Sequence, residues 1–180
     1  MRIRRICAAA APRRSASNMP SPACAKAFTV PLLAAAPVIA IDQATKIWAA
    51  SSLILHEVKE VIPGCFNIVH ARNTGAAFSL LANFDERWMR PILMAVTVLA
   101  MGALLYASRL LSGKRPGLAG FGLVVGGAVG NLIDRARLGY VIDFIDIYLG
   151  RFHWPAFNIA DVGITVGIFL IAMDMIFEKP

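Results

Sequence analysis

The sequence predicts an all-α membrane protein of four transmembrane helices, with a small extended, β-containing loop region on one membrane face. Three observations carry that reading. Of 180 residues, 58% are hydrophobic and only 16% are charged, too apolar a composition for a single water-soluble domain. Apolar runs close to the length of a bilayer crossing recur about four times along the chain. The ionisable residues within these runs gather near run ends that a four-span topology brings to the same side.

The net charge of +7 does not point to nucleic acid, because the basic residues are scattered over tails and loops. Membrane topology accounts for them better, and no nucleic-acid partner is expected. Cys7, Cys24 and Cys65 show no paired spacing, which argues against a disulfide framework or a zinc site. Lipid-modified cysteines follow an apolar signal segment. Cys24 follows Ser21-Pro22-Ala23 with no such run before it, and reads as an unmodified tail residue.

Residues 1–26, rich in Arg, Ala, Ser and Pro, read as a disordered basic tail, with Met19 an alternative start. Residues 27–180 form the four-helix domain. The first span covers about 28–55 and contains Pro31 and Pro37, which membrane helices tolerate. Asp42 lies roughly 21 Å along it at the usual helical rise, in the second half of the hydrocarbon layer. A mixed loop over 56–90 includes the alternating piece Cys65-Phe66-Asn67-Ile68-Val69, where short strands or a folded-over cap over Cys65–Leu81 are expected. The second span, about 91–111, is uncharged until Arg109, and the basic turn Lys114-Arg115 follows. In the third span, about 117–133, Gly122, Gly126 and Gly130 recur every four residues and leave a smooth stripe for close helix approach. The fourth span covers about 157–177. Four spans put both termini on one side, and the arginine-rich tail makes that side cytoplasmic.

The chemistry lies where polar groups converge at the opposite surface. Asp42 and Lys46 are spaced i, i+4 with the acid first, the favourable order for a pair. They read either as a structural ion pair or as a site whose lysine, facing outward, holds a lipid or substrate carbonyl. Asn73, in Arg72-Asn73-Thr74-Gly75, could donate to a substrate carbonyl, although Asn-x-Gly also marks a simple turn. Asn131, Asp134 and Arg135 share one face at the end of the third span. An adjacent Asp and Arg at a helix end reads as a bracing pair.

Asp143 and Asp161 stand apart. Asp143 is flanked by Val141, Ile142, Phe144 and Ile145, surroundings whose desolvation raises a carboxyl pKa. Asp161 follows Asn158 by three, the spacing of an N-cap and the third helical position, where the helix dipole favours the ionised form. Alone, one is a loop carboxylate and the other a cap. Brought together in unequal surroundings, they are a candidate acid–base pair able to share one proton, titrating as a unit. Asp146 and Asp174 look unremarkable, and His56, His70 and His153 are dispersed without metal-ligand spacing.

Taken in order, DQATKIW (42–48), NTGAAFS (73–79), GGAVGNLIDR (126–135), VIDFID (141–146) and FNIADVGI (157–164) resemble the lipoprotein signal peptidases, or signal peptidase II, over Pro31 to Phe177. The resemblance implies an aspartic endopeptidase of the bacterial inner membrane, with its active site near the periplasmic face. Such an enzyme removes the signal peptide from diacylglyceryl-modified prolipoproteins, cutting just before the lipidated cysteine. By the family pattern the catalytic positions fall on Asp143 and Asp161. The supporting positions fall on Asp42, Lys46, Asn73, Asn131, Asp134, Arg135 and Asn158, with no departure at any of them. The expected mechanism needs no metal or organic cofactor, and the partners expected are the prolipoprotein and membrane lipid, met by a monomer. A proton-coupled transporter is the rival from another class, since intramembrane carboxylates also mark ion paths. A third reading, an assembly subunit held by the glycine stripe, does not explain the convergent carboxylates.

Overall fold

In lipid, backbone polar groups must be satisfied within the protein, so apolar runs become helices and extended segments are confined to the ends of the bundle. The computed structural model, which describes residues 22–75, 86–107 and 115–177, has this arrangement. Its elements are α1 (Pro22–Ser52), β1 (Val58–Ile62), β2 (Phe66–Asn73), α2 (Glu86–Ala107), α3 (Arg115–Leu138), β3 (Val141–Leu149), β4 (Phe152–His153) and α4 (Ile159–Phe177). Among the described residues, three helical segments are long and apolar enough to cross a membrane: Thr29–Ser52, Pro116–Leu138 and Ile159–Phe177. The apolar stretch of α2 is shorter, Arg90–Tyr106.

Glycine decides which helices meet. α3 packs against both α1 and α4, and its glycines divide between the two contacts. A Cβ on Gly126 would lie 2.8 Å from the Ala35 carbonyl oxygen of α1, and one on Gly120 would lie 2.7 Å from the Gly167 carbonyl oxygen of α4. The stripe of Gly122, Gly126 and Gly130 expected from sequence therefore faces α1, while Gly120 and Gly127 form a second one facing α4. α1 stays helical through Pro31 and Pro37.

Burial is inverted relative to a water-soluble protein. Leu33 is 74% exposed, Leu99 72% and Ile176 69%, as side chains facing acyl chains would be. The largest fully buried side chains are Lys46, Val141, Asn158 and Asp42. The interior of the bundle end is thus polar, and its cohesion comes from hydrogen bonds and ion pairs.

The strands form one antiparallel sheet in the order β1-β2-β3-β4. The β2–β3 register sets Ala71 opposite Asp143 and Asn73 opposite Val141. The link into α4 is sewn to β3: Ile145 N donates to Phe157 O (2.9 Å) and Phe157 N donates to Ile145 O (3.0 Å). These bonds place the start of α4 beside the Asp143 end of β3.

Several sequence expectations change here. The extended region is built from both loops, because β2 of the first pairs with β3 of the second. Asp143 is consequently a strand residue and no loop carboxylate. Of the two expectations for this stretch, short strands or a folded-over cap, the strands are present, with β2 held between β1 and β3; the part of the expected cap beyond Gly75 lies outside the described residues. α3 runs on to Leu138, so Asn131, Asp134 and Arg135 sit within the helix. The basic tail lies outside the described residues up to Ser21, and α1 is already helical from Pro22.

Candidate active site

Asn158 and Asp161 form a capping box at the start of α4, as their spacing predicts. The Asp161 N–H donates to Asn158 Oδ1 (3.1 Å), and the Asn158 N–H donates to Asp161 Oδ2 (3.3 Å). The cap does more than end a helix. Asn158 Nδ2 donates to Asp143 Oδ1 (2.6 Å), so one asparagine holds both carboxyls. Asn73 Nδ2 reaches Asp143 Oδ2 (3.0 Å) from β2, and Asn131 Nδ2 reaches Asp161 Oδ1 (2.8 Å) from α3. Each of the four carboxyl oxygens accepts an N–H, and every donor is neutral.

Asp143 is only 2% exposed. Its burial, above all, lifts the carboxyl from 3.8 to about 6, with the Asp161 charge adding to the rise. The amide donors Asn73 and Asn158 and the nearby Lys46 ammonium pull the other way. Asp161 is half-buried, in the first turn of α4. The two carboxyls thus occupy unequal surroundings, the condition under which such a pair shares a proton.

A second layer lies behind them. Lys46, 1% exposed, contacts Asp42 Oδ2 (2.9 Å), Asp134 Oδ2 (3.1 Å) and Asn131 Oδ1 (2.8 Å). Asp42 Oδ1 accepts the Ala160 N–H (2.9 Å), clamping α1 to the first turn of α4, and Asp134 Oδ2 accepts the Ile142 N–H (3.2 Å) at the head of β3. Gly130 makes room for this layer, since a Cβ there would stand 2.7 Å from Asp42 Oδ2. Lys46 faces inward, which removes the expectation that it holds a lipid or substrate carbonyl from outside. Asn73 is engaged as well: its Nδ2 is on Asp143, and its Oδ1 accepts the Gly75 N–H (2.8 Å).

The expected bracing pair of Asp134 and Arg135 does not form. Asp134 is taken by Lys46 and by Gln43 Nε2 (3.0 Å). Arg135 instead lines an apolar groove of about 470 Å³ together with Asp161, between Ala100 and Leu104 of α2 and Ile164 and Ile168 of α4. Its Nε is buried without a hydrogen-bond partner among the described residues. A second cavity of about 290 Å³, lined by Trp154, Phe157 and Thr165, meets Asp161 from its other flank.

Sequence reasoning missed Gln43, whose Nε2 also reaches Gly130 O (3.2 Å). The available signal was a polar residue beside Asp42 in an apolar span. Asp146 is also less ordinary than expected. It is buried, accepts from Asn67 Nδ2 (2.8 Å) and pairs with His153 Nδ1 (3.0 Å). His153 stacks on Tyr148, forming a separate knot at the β4 edge. Asp174 is buried against Gly117, at the end of the bundle opposite the carboxyl pair.

Two carboxyls, one desolvated on a strand and one capping a helix, are held by neutral amides at the end of an apolar bundle and form a candidate acid–base site. Residues 34–177 match the family described as signal peptidase (SPase) II. The lipoprotein signal peptidase of Geobacter metallireducens is 51% identical over 142 residues, covering 78% of this chain and 86% of that one. That of Oleidesulfovibrio alaskensis is 47% identical over 152 residues, covering 84% and 97%. A bacterial membrane enzyme solved by the in meso method at 1.9 Å resolution superposes with a TM-score of 0.71 at 31% identity, covering 84% of this chain and 96% of that one. The chain belongs to the signal peptidase II family, and it is a peptidase of the hydrolase class.

Proposed function

We propose that the protein removes the signal peptide from diacylglyceryl-modified prolipoproteins, cleaving just before the lipidated cysteine, with Asp143 and Asp161 as its catalytic pair. The observation that carries this reading is the double grip of Asn158, which caps Asp161 and donates to Asp143. It holds two carboxyls of unequal environment together without neutralising either. In the reaction, one carboxylate takes a proton from a water as that water attacks the scissile carbonyl carbon. The protonated partner donates to the carbonyl oxygen, giving a neutral gem-diol. Collapse breaks the C–N bond, with a proton passing to the leaving amine and the other returning to the pair, so that one shared proton is restored.

The pair works with one proton and loses it as pH rises through the value of Asp143, about 6 in the open site. Substrate that displaces water desolvates the carboxyls further and moves this limb upward.

Asp42, Lys46, Asn73, Asn131, Asp134 and Asn158 support the pair by holding its geometry, and Arg135 faces the groove that would receive apolar substrate. The apolar lining of that groove beside α2 suits an acyl chain or an apolar segment of signal peptide, with the scissile bond delivered to Asp161 in its wall. In this reading α2 crosses the bilayer as the fourth span, both termini are cytoplasmic, and the pair lies near the periplasmic face of the inner membrane. The basic tail and the Lys114-Arg115 turn support that orientation. The same reading has a monomer acting amid membrane lipid. A transporter would distribute polar groups through the membrane depth, whereas these collect at one end.

The test converts Asp143 and Asp161 separately to Asn and measures cleavage of a lipid-modified precursor by purified, folded enzyme. Loss of turnover in both is expected. Near-normal cleavage by either variant would remove the pair from the mechanism.

A further inference from the structure

One amide in the site faces two opposite demands. Asn131 Oδ1 accepts from Lys46 Nζ (2.8 Å) and from Asn158 Nδ2 (3.3 Å), while Asn131 Nδ2 donates to Asp161 Oδ1 (2.8 Å). An ammonium has three donors and no acceptor, so the only atom of Asn131 that can face Lys46 is its oxygen. Lys46 is itself saturated: its three contacts are Asp42 Oδ2, Asp134 Oδ2 and Asn131 Oδ1, all buried. No donor remains to reach a substrate.

We propose that Lys46 is a positioning residue that fixes the direction of the amide layer. By holding the Asn131 oxygen inward it forces the Asn131 N–H outward onto Asp161, so that this carboxyl is presented as an acceptor. A flipped Asn131 would set its oxygen against a carboxylate oxygen of Asp161 and turn its NH2 toward the ammonium; both contacts are repulsive. Asn158 is oriented by the backbone instead: its Oδ1 accepts the Asp161 N–H, and its Nδ2 faces the Ile142 carbonyl oxygen (3.3 Å) as well as Asp143 Oδ1 and the Asn131 oxygen. Lys46 thus directs a donor at Asp161 through Asn131, without touching either carboxyl.

The charged groups around the pair are Asp42 and Lys46 on α1, and Asp134 and Arg135 on α3. The pair itself comes from β3 and α4. Removing Lys46 changes the field from all of these as well as the amide direction, so the test must separate charge from donation. Lys46→Met and Lys46→Gln, each combined with Asp134→Asn so that one fewer carboxylate is left uncompensated, both remove the ammonium. Only the glutamine can still donate to Asn131 Oδ1. The readout is the pH profile of kcat on a lipid-modified precursor, with the Asp134→Asn enzyme as baseline.

The basic limb is expected to move up by about one pH unit in the Met variant and by less than about half that in the Gln variant, with KM changed by under about twofold. Equal shifts in the two would mean that the charge alone matters and would overturn the proposal, as would an unmoved limb in both. Should the Met variant not fold, the Gln variant decides: a limb within about half a unit of baseline is expected, and a displacement of about a full unit overturns the inference. The inference rests on Asp143 and Asp161 being the catalytic pair. That reading fails separately, through cleavage by Asp143→Asn, whereas the Met and Gln contrast bears on Lys46 alone.

Discussion

Two pairs of carboxyls meet at the polar end of the bundle, and they are built on opposite principles. Asp42 and Asp134 share a lysine, each within 3.1 Å of its ammonium, and each also ties down a backbone N–H of another element. Asp143 and Asp161 accept hydrogen bonds only from neutral side-chain amides and one backbone N–H, with no cation in direct contact among the described residues. A direct cation fixes charge and shape together, leaving a carboxylate with nothing to give or take. A carboxyl held by neutral donors keeps its geometry but can still exchange a proton. Four acids of the same type are thereby divided into clamp and reagent.

The largest test of that division exchanges the consequences of the same substitution. Asp143→Asn should reduce cleavage by roughly 10²–10⁴-fold while leaving the folded yield close to that of the parent. Asp134→Asn should chiefly lower folded yield, measured by monodisperse recovery in detergent. Full stability with complete inactivity would move Asp134 into the reacting group and erase the contrast.

Asp134→Ala goes further, because it leaves Lys46 short of a buried partner. Breaking a buried ion pair from one side costs about 3–5 kcal/mol, which thermal unfolding would register. A loss below about 1 kcal/mol would show the clamp to be solvated and weak. Gly130→Ala attacks the same layer from α3 by driving a methyl against Asp42 Oδ2. Its cost should be about 1–3 kcal/mol as an overpacking effect, and an unchanged unfolding midpoint would contradict the close approach.

A smaller effect sharpens the reagent side. Asn73 lowers the pKa of Asp143 by donating to it, so Asn73→Ala should raise that carboxyl above its value of about 6. The active singly protonated pair then persists to higher pH. The basic limb of kcat should move up by up to about one unit; a downward shift would contradict the assignment of that limb. The smallest effect is expected at the β4 knot. His153 is half exposed beside Asp146, so His153→Ala should cost no more than about 1 kcal/mol and leave the limb where it was.

How much of this was legible in the sequence depends on the range of the interaction. The capping box of Asn158 and Asp161 was readable because its partners are three residues apart and both bonds are local. The Asp42–Lys46 pair was readable for the same reason, one helical turn apart. The faces of Asn131 and Asp134 followed from helical periodicity. Asp134 and Arg135 were misjudged as a pair because adjacent helical residues point in different directions: Asp134 turns toward α1 and Arg135 toward the α2 groove. Gln43 was overlooked because two of its acceptors, Gly130 O and Asp134 Oδ1, lie on α3, and only packing brings α3 to it. The β2–β3 pairing was hidden by the roughly seventy positions between its strands.

By itself the sequence determined that this is an apolar helical bundle, that its polar residues collect at one end, and that Asp143 and Asp161 differ from the other acids. Hydropathy, periodicity and local caps act within a few residues, so they can be read along a line. Only the tertiary structure decided which carboxyls are clamped by a cation and which are left to neutral amides. That choice was made where the Gly126–Ala35 approach brings α1 to α3 and the Phe157–Ile145 bonds bring α4 to β3. Electrostatic role is set by what lies within about 3–4 Å of an oxygen, and such neighbours come from parts of the chain that spacing alone cannot bring together.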